Sequence, residues 1–481
     1  MVTSPADSPV TDEYKLCPTC GYANLAYRNR CYHCWNDIAG ARPIPQAEAE
    51  QRLALEERIE SQRLARETQR KLWARRIRLV GVAMAVLLFA WWGYRTFIYE
   101  PPPVPTPSST ERHLTSNADT WPISGGDLGA TRRTEATVAL EAPEAWNVDL
   151  GAGPATPAIS DGERIYETLL DGRIVALDVQ TGAEVWTHRL QNFPFAAPTV
   201  AGDRLYVPLR QGILYVVDAS TGEFVGQSAA TQSSFGTSPL VADGMVYVFG
   251  TGELHGFDAE TLERLWTVSI PSNWAFVTPA LSDRYIAVAT GNRTLAFDRV
   301  TGRETYFYEF ERAHPYSIAI DDGDVYTISP RFGAALDLES RRPWWEGIRA
   351  VWNQFWLWGM APDVPPPPSL WVIPEPPSQG LPIAIADDRL VLASADGDLR
   401  AIDRANGEDV WRIDTEAIVQ GPLVTPAGVL AVHPDRLVRY DLADGAVLAE
   451  RPFEGTSLFD AVVTARGTFV TTSAGTVIAL R

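Results

Sequence analysis

Residues 157–186, PAISDGERIYETLLDGRIVALDVQTGAEVW, hold two short alternating runs, then an aspartate, a Thr-Gly pair and a tryptophan. Five- or six-residue alternating runs broken by Asp-Gly and Thr-Gly read as short strands joined by tight turns, where glycine supplies the positive φ. The pattern then returns. ALDVQTGAEVW at Asp178 is followed by VVDASTGEFV at Asp218, GFDAETLERLW at Asp258 and AFDRVTGRETY at Asp298. ALDLESRRPWW at Asp337, AIDRANGEDVW at Asp403 and RYDLADGAVL at Asp441 complete the series, at intervals of 40, 40, 40, 39, 66 and 38 residues. A period near 40 with four short strands per unit predicts the blades of a β-propeller.

Each motif residue has a physical task. The aspartate can accept hydrogen bonds from the turn amides. Trp186, Trp266 and Trp411, with Tyr306 and Trp344 at equivalent places, are suited to filling the wedge between blades. Counting unit starts gives eight, and the eighth lacks a last strand because the sequence stops at Arg481. EAWNVDL around Trp146 resembles AEVWTHRL around Trp186, so this segment is expected to complete the last blade and close the ring.

The repeat resembles the pyrroloquinoline-quinone-like β-propeller family over about 120–481, and WPISGGDLGATRR at 121–133 is similar to that family's opening segment. The family includes quinoprotein dehydrogenases and the non-enzymatic propeller lipoprotein of outer-membrane protein assembly. The dehydrogenases use adjacent cysteines, a calcium site and a catalytic aspartate. No cysteine lies in this propeller, no calcium motif is recognisable, and His188, His255, His314 and His433 are scattered over different blades. The resemblance therefore implies the fold but not the cofactor, and pyrroloquinoline quinone is not expected.

The 66-residue interval contains RRPWWEGIRAVWNQFWLWGM and a proline-rich run, an insertion at about 341–380. Trp345, Ile348, Trp352, Phe355 and Trp356 fall at helical spacing on one face, with Trp344 beside them and Arg341, Arg342 and Arg349 adding charge. Such a segment suits contact with a lipid surface, a partner, or the propeller itself.

All four cysteines precede residue 35. Cys17, Cys20, Cys31 and Cys34 form two C-x-x-C pairs ten residues apart, the spacing that offers four thiolates to one structural zinc. With Asn24 the pattern is C-x2-C-x3-N-x6-C-x2-C, which resembles bacterial N-terminal zinc ribbons and is similar to the RanBP2-type finger. The tryptophan that finger carries just ahead of its first cysteine is replaced here by Tyr14, Lys15 and Leu16, so RNA or ubiquitin recognition does not carry over. A cytoplasmic protein partner for this ribbon, residues 1–45, is the expectation.

Residues 46–78 are free of glycine and proline and rich in helix formers, predicting a charged juxtamembrane helix. LVGVAMAVLLFAWWGYRTFIY at 79–99 reads as one transmembrane helix, since 21 residues reach about 31 Å against a hydrocarbon core of about 30 Å. A basic flank over 62–78 predicts a cytoplasmic N-terminus, and PPPVPTPSST opens a proline-rich tether at 100–118. Residues 1–100 carry fourteen Lys plus Arg against eleven Asp plus Glu, and the remainder 27 against 49. An acidic domain from 119 to 481 argues against nucleic acid as a partner. The sequence thus predicts an all-β eight-bladed propeller of four-stranded blades, preceded by a zinc ribbon, a charged helix and one membrane helix. The expected function is a membrane-anchored, non-catalytic scaffold, its exported propeller binding a protein or envelope ligand, the lipid bilayer being a further partner. The alternative is a membrane-bound quinoprotein oxidoreductase.

Overall fold

The computed structural model describes residues 13–94, 105–137, 140–270, 277–309, 314–338, 352, 355–356, 358–360, 369–374, 376 and 380–481. The chain divides into two compact units, Met1–Pro102 and Pro103–Arg481.

In the first unit β1 (Tyr14–Leu16) pairs antiparallel with β2 (Ala23–Leu25) and β3 (Pro43–Ile44). Pro45 ends the ribbon, and α1 (Gln46–Gly93) begins directly after it. Its first turns pack Ala49 against Ala23 and Ile44, while an Arg52–Glu48 pair at 3.2 Å braces the exposed side. Helix formation as far as residue 78 follows the sequence reading. The membrane span over 79–99 does not. Among the described residues no helix is long and apolar enough to cross a membrane. The charge-free run within α1 is Leu79–Gly93, which rises about 22 Å and falls short of the roughly 30 Å hydrocarbon layer. Arg76 and Arg78 precede it, and Arg95–Tyr99, needed to reach 21 residues, lie outside the described region.

The second unit contains, among the described residues, eight four-stranded antiparallel sheets. Blade 1 is Ile159–Ser160, Arg164–Thr168, Arg173–Asp178 and Glu184–Arg189, and its successors repeat that order. Blade 8 runs Leu458–Thr464, Gly467–Thr472 and Thr476–Leu480, and its fourth strand is β4 (Glu144–Asp149), from the other end of the domain. Ring closure by the N-terminal strand is thus as the repeat arithmetic implied. Apolar layers hold neighbouring blades together. Tyr166, Ala176 and Trp186 of blade 1 meet Val200, Leu205 and Val217 of blade 2, and Val477 and Trp146 of blade 8 meet Leu169, Val175 and Leu177 of blade 1.

The motif aspartates build the turns as expected. Asp178 accepts from the Thr181 hydroxyl at 2.7 Å and from the Thr181 amide at 2.8 Å, and these bonds hold its carboxyl below the usual range. The aromatic position lies opposite the residue two places before each aspartate. Trp186 pairs with Ala176, and its indole N–H donates to the Ala219 carbonyl of blade 2 at 3.0 Å. Trp146, Trp371 and Trp411 reach blades 1, 6 and 7 in the same way.

One assignment changes. Trp344, expected at this position in blade 5, lies outside the described residues, and Trp371 occupies the place opposite Ala335. The fourth strand of blade 5 is Trp371–Pro374, so the extra residues lengthen the connection between its third and fourth strands.

Blade 2 departs from the rule in a compensated way. Gly226 stands where tryptophan is usual, and Leu262, at the turn position of blade 3 where blades 1, 2, 4, 6 and 7 have glycine, fills the gap. Leu262 adopts φ 61°, a left-handed conformation that costs a branched residue about 1–2 kcal/mol. Bulk has moved from one side of the blade interface to the other.

Candidate functional site

The four cysteines converge. Their sulfurs all lie within 4.8 Å of one another, with Cys17–Cys34 and Cys20–Cys31 each at 3.5 Å. A tetrahedron of sulfurs about 2.3 Å from zinc has edges of roughly 3.8 Å, so little contraction or expansion is needed. The two C-x-x-C turns match. Gly21 N–H bonds the Cys17 carbonyl at 2.9 Å and Trp35 N–H the Cys31 carbonyl at 3.0 Å, each residue directly following its second cysteine with positive φ. Burial alone would raise the Cys31 thiol, but the Cys34 and His33 amides and the Asn24 carboxamide bring it to about 6, favouring the thiolate that a metal binds. Asn24, central to the sequence pattern, also accepts the Tyr32 amide at 2.7 Å and so joins the two turns. The described residues thus place four cysteines to bind one metal ion, with zinc the identity their spacing suggests.

A second arrangement lies in the propeller and was not foreseen. The segment from Leu114 to Thr134 crosses one end of the ring and exchanges a backbone hydrogen bond with every blade. Leu114 binds Val241, Ala118 binds Ala465, Trp121 binds Ser160 and Pro122 binds Val200. Leu128 binds Leu281, Gly129 binds Ile320, Thr131 binds Ile385 and Arg132 binds Val424. Glycine is needed here, since a Cβ on Gly129 would stand 2.3 Å from the Ile320 carbonyl oxygen. The segment ahead of it is also attached, for Ser108 Oγ donates to Asp258 at 3.0 Å and Arg112 to Glu260 at 3.1 Å. Residues 108–118, expected in the tether, are therefore attached to the propeller, Ser108, Arg112 and Leu114 to blade 3 and Ala118 to blade 8.

Beneath this plug is a cavity of about 210 Å³, walled by Ser124, Arg132, Leu240, Thr278, Tyr316 and Ser317 among others. Arg132 is buried, with φ 52°, and its guanidinium donates to the carbonyls of Ser124, Gly421 and Pro422. Desolvation lowers its pKa to about 10, with Asp460 opposing the shift. At the seam of blades 1 and 8, Glu167 and Asp460 are both buried, and the Thr471 hydroxyl meets Glu167. Glu167 had a readable signal. The register-equivalent residues in blades 2 to 6 are Val207, Val248, Val288, Thr327 and Leu392, none of them charged.

At the opposite end of the ring, exposed Leu170, Phe193 and Phe195 are contributed by the turns and connection of blades 1 and 2. They are firmly held. Arg210 stacks on Phe195 at 4.5 Å, Asn192 donates to Gln211 at 2.8 Å, and Pro194 bridges to Leu209. In the insertion, Trp344, Trp345 and Ile348 lie outside the described residues. Trp352, Phe355 and Trp356 are helical, with Phe355, Trp356, Trp358 and Met360 exposed. The four propeller histidines do not gather. His255 is a buried strand residue, His433 is buried in a turn of blade 7, His188 bonds the Tyr215 hydroxyl and His314 the Gly291 carbonyl.

Repeat, register and closing strand find their counterpart in a family model described as outer membrane protein assembly factor BamB, which matches residues 134–347 and 395–481. The chain belongs to this PQQ-repeat propeller family. The unmatched stretch between those segments contains the insertion. Among curated proteins none matches. The fold is similar to the crystal structure of BamB from Moraxella catarrhalis, with a TM-score of 0.55 and 15% identity over 70% of this chain and 99% of that one. It is also similar to quinohemoprotein alcohol dehydrogenase from Comamonas testosteroni, with a TM-score of 0.56 and 16% identity over 76% and 81%. The computationally designed protein Ika8 gives 0.58 and 13% over 70% and 99%. At these identities the likeness is one of fold.

Proposed function

We propose that the protein is a non-catalytic binding scaffold of the bacterial envelope, whose propeller recruits a protein partner through the exposed Leu170, Phe193 and Phe195 surface. The observation that carries this reading is the pairing of exposed aromatic side chains with a braced backbone. Large apolar groups held rigid in solvent lose little entropy on binding and are the usual anchors of an interface. Arg210 beside them supplies a directional contact at the rim. The family description, outer membrane protein assembly factor, agrees with a role in assembly. Phe193→Ala with Phe195→Ala should remove partners recovered from envelope extracts while leaving the propeller folded. An unchanged set of partners would refute the assignment, and stoichiometric binding of pyrroloquinoline quinone with calcium would replace it by the oxidoreductase reading.

Two finer elements belong to the same proposal. The cysteine ribbon holds zinc as a structural cap that docks a protein. The tryptophan-rich insertion offers a second contact, to lipid or to the partner. It leaves blade 5 between its third and fourth strands, at the ring end that carries the plug. Deleting 341–368 tests this, because a cut extending to 380 would remove the strand Trp371–Pro374. Equal recovery with lipid vesicles of the full chain and of this deletion would reject the lipid contact.

A further inference from the structure

We propose that Glu167 and Asp460 hold one proton between them and that this proton fastens the seam between blades 1 and 8, where the ring closes. This goes beyond the scaffold reading and does not depend on it. The Thr471 hydroxyl donates to Glu167 Oε1, and Thr471 stands directly across the blade 8 ladder from Asp460. That hydroxyl has a single hydrogen, and an ionised carboxylate can only accept, so Glu167 has one neutral donor for two oxygens. Asp460 Oδ2 accepts the Ala158 amide at 2.8 Å, which favours Asp460 as the ionised member and Glu167 as the acid.

Charge balance reaches the same assignment. Glu167 is 0% and Asp460 2% exposed, and Glu167 Oε2 and Asp460 Oδ1 find no protein donor among the described residues. Of the elements packed here, the blade 1 strand Arg164–Thr168 brings Glu167, blade 8 brings Asp460 and Thr471, and the plug brings Arg132. Blade 7 brings neutral Gln420, whose carboxamide is spent on the Ala461 backbone at 3.1 and 2.8 Å. Arg132 is the cation felt by Asp460. Two ionised carboxylates against one guanidinium would leave a net charge out of water. Arg132 cationic, Asp460 anionic and Glu167 protonated leave none. Burial, with repulsion from Asp460, pushes Glu167 well above the usual carboxyl range, and burial brings Asp460 to about 6.

The sign follows. Both folded values lie above those of the unfolded chain, so the native ring holds protons that the unfolded chain has released. Stability falls as pH rises from about 4 through the folded values. The seam is tightest in mild acid. The region affected is where Trp146 of β4 donates to the Val179 carbonyl of blade 1 at 3.1 Å.

Amide exchange of the full chain, corrected for its intrinsic pH dependence, tests the proposal. Between pH 5 and pH 9 the segment 150–160, which includes the Ala158 amide, should lose at least tenfold in protection relative to 384–393 of blade 6. Glu167→Gln, which keeps an acceptor towards Thr471 and cannot ionise, should abolish that difference. Parallel behaviour of the two segments, or an undiminished pH dependence in Glu167→Gln, would overturn it. Infrared spectroscopy gives an independent reading. Wild type at neutral pH should show the C=O stretch of a buried carboxylic acid that Glu167→Gln lacks, and its absence from wild type would also refute the shared proton.

Discussion

Replacing Trp371 by alanine tests the blade register where sequence and structure part. Trp371 is 7% exposed, packs beside Tyr326 at 6.2 Å between ring centroids, and gives its indole N–H to the Arg404 carbonyl of blade 6 at 2.8 Å. Truncating a buried tryptophan costs about 3–5 kcal/mol, and the lost hydrogen bond adds about 1. Because the residue lies on an outermost strand that can partly collapse, the lower half of the sum is expected, about 4 kcal/mol. Its partner sharpens the test. A Cβ on Gly407 would stand 2.9 Å from the Trp371 ring and 2.8 Å from Ile373, and Gly407 has φ 77°. Gly407→Ala should therefore cost about 3 kcal/mol in the wild type and distinctly less beside Trp371→Ala, leaving a coupling energy of about 1 kcal/mol. Denaturant unfolding followed by fluorescence measures all three variants. A cost below about 1 kcal/mol for Trp371→Ala, or strict additivity with Gly407→Ala, would refute the placement of the fourth strand after the insertion.

Other consequences are as direct. Gly226→Trp alone should destabilise the blade 2–3 interface by about 2 kcal/mol through overpacking against Leu262, and Leu262→Gly in the same chain should recover most of it. Equal destabilisation of single and double variants in thermal unfolding would contradict the exchange of bulk. Trp35→Gly should stabilise the ribbon by about 1 kcal/mol, because φ 59° suits glycine and the indole is 72% exposed. A lower resistance of the variant to chelator-induced unfolding would contradict that. Chelation itself should abolish amide protection over Cys17–Cys34 while leaving the blades protected, since four thiolates without a cation repel. Gly129→Ala should weaken the plug by more than about 2 kcal/mol through the clash with Ile320, read as increased exchange at Leu281, Ile320 and Ile385.

How much of this was legible depends on whether the cause was local. Turn chemistry and strand alternation repeat every 40 residues, so the blades and the strand around Trp146 could be aligned before any contact was known. The cysteine turns were equally local, and their spacing predicted the sulfur cluster. Trp344 was misplaced because ESRRPWW imitates the motif to within one residue of the usual distance from its aspartate, and only pairing with Ala335 shows that the strand resumes at Trp371. The membrane segment failed because, among the described residues, no helix is long and apolar enough to cross a membrane. The plug could not be read, because Leu114–Thr134 follows no period and bonds its backbone to eight separate blades. Glu167 lay between these cases. It interrupts a column otherwise occupied by Val, Thr and Leu in blades 2 to 6, and only the fold shows that Asp460 answers it.

The plug bears on the function of the ring. A segment bonded to all eight blades at one end makes their mutual displacement costly, because shifting one blade strains a chain anchored on the other seven. It enters across blade 3 through Ser108 and Arg112, crosses the ring, and leaves past Arg132 to form β4, the strand that completes blade 8. Closure, plug and entry are thus one continuous piece of chain, tied to the blade 1–8 seam by the charge between Arg132 and Asp460. Such a body is well suited to holding a surface in fixed geometry. On the proposed reading the Phe193 and Phe195 patch, at the end away from the plug, is the part that rigidity serves. If the proposed proton is shared there, the solvent's pH reaches that rigidity at the seam of blades 1 and 8.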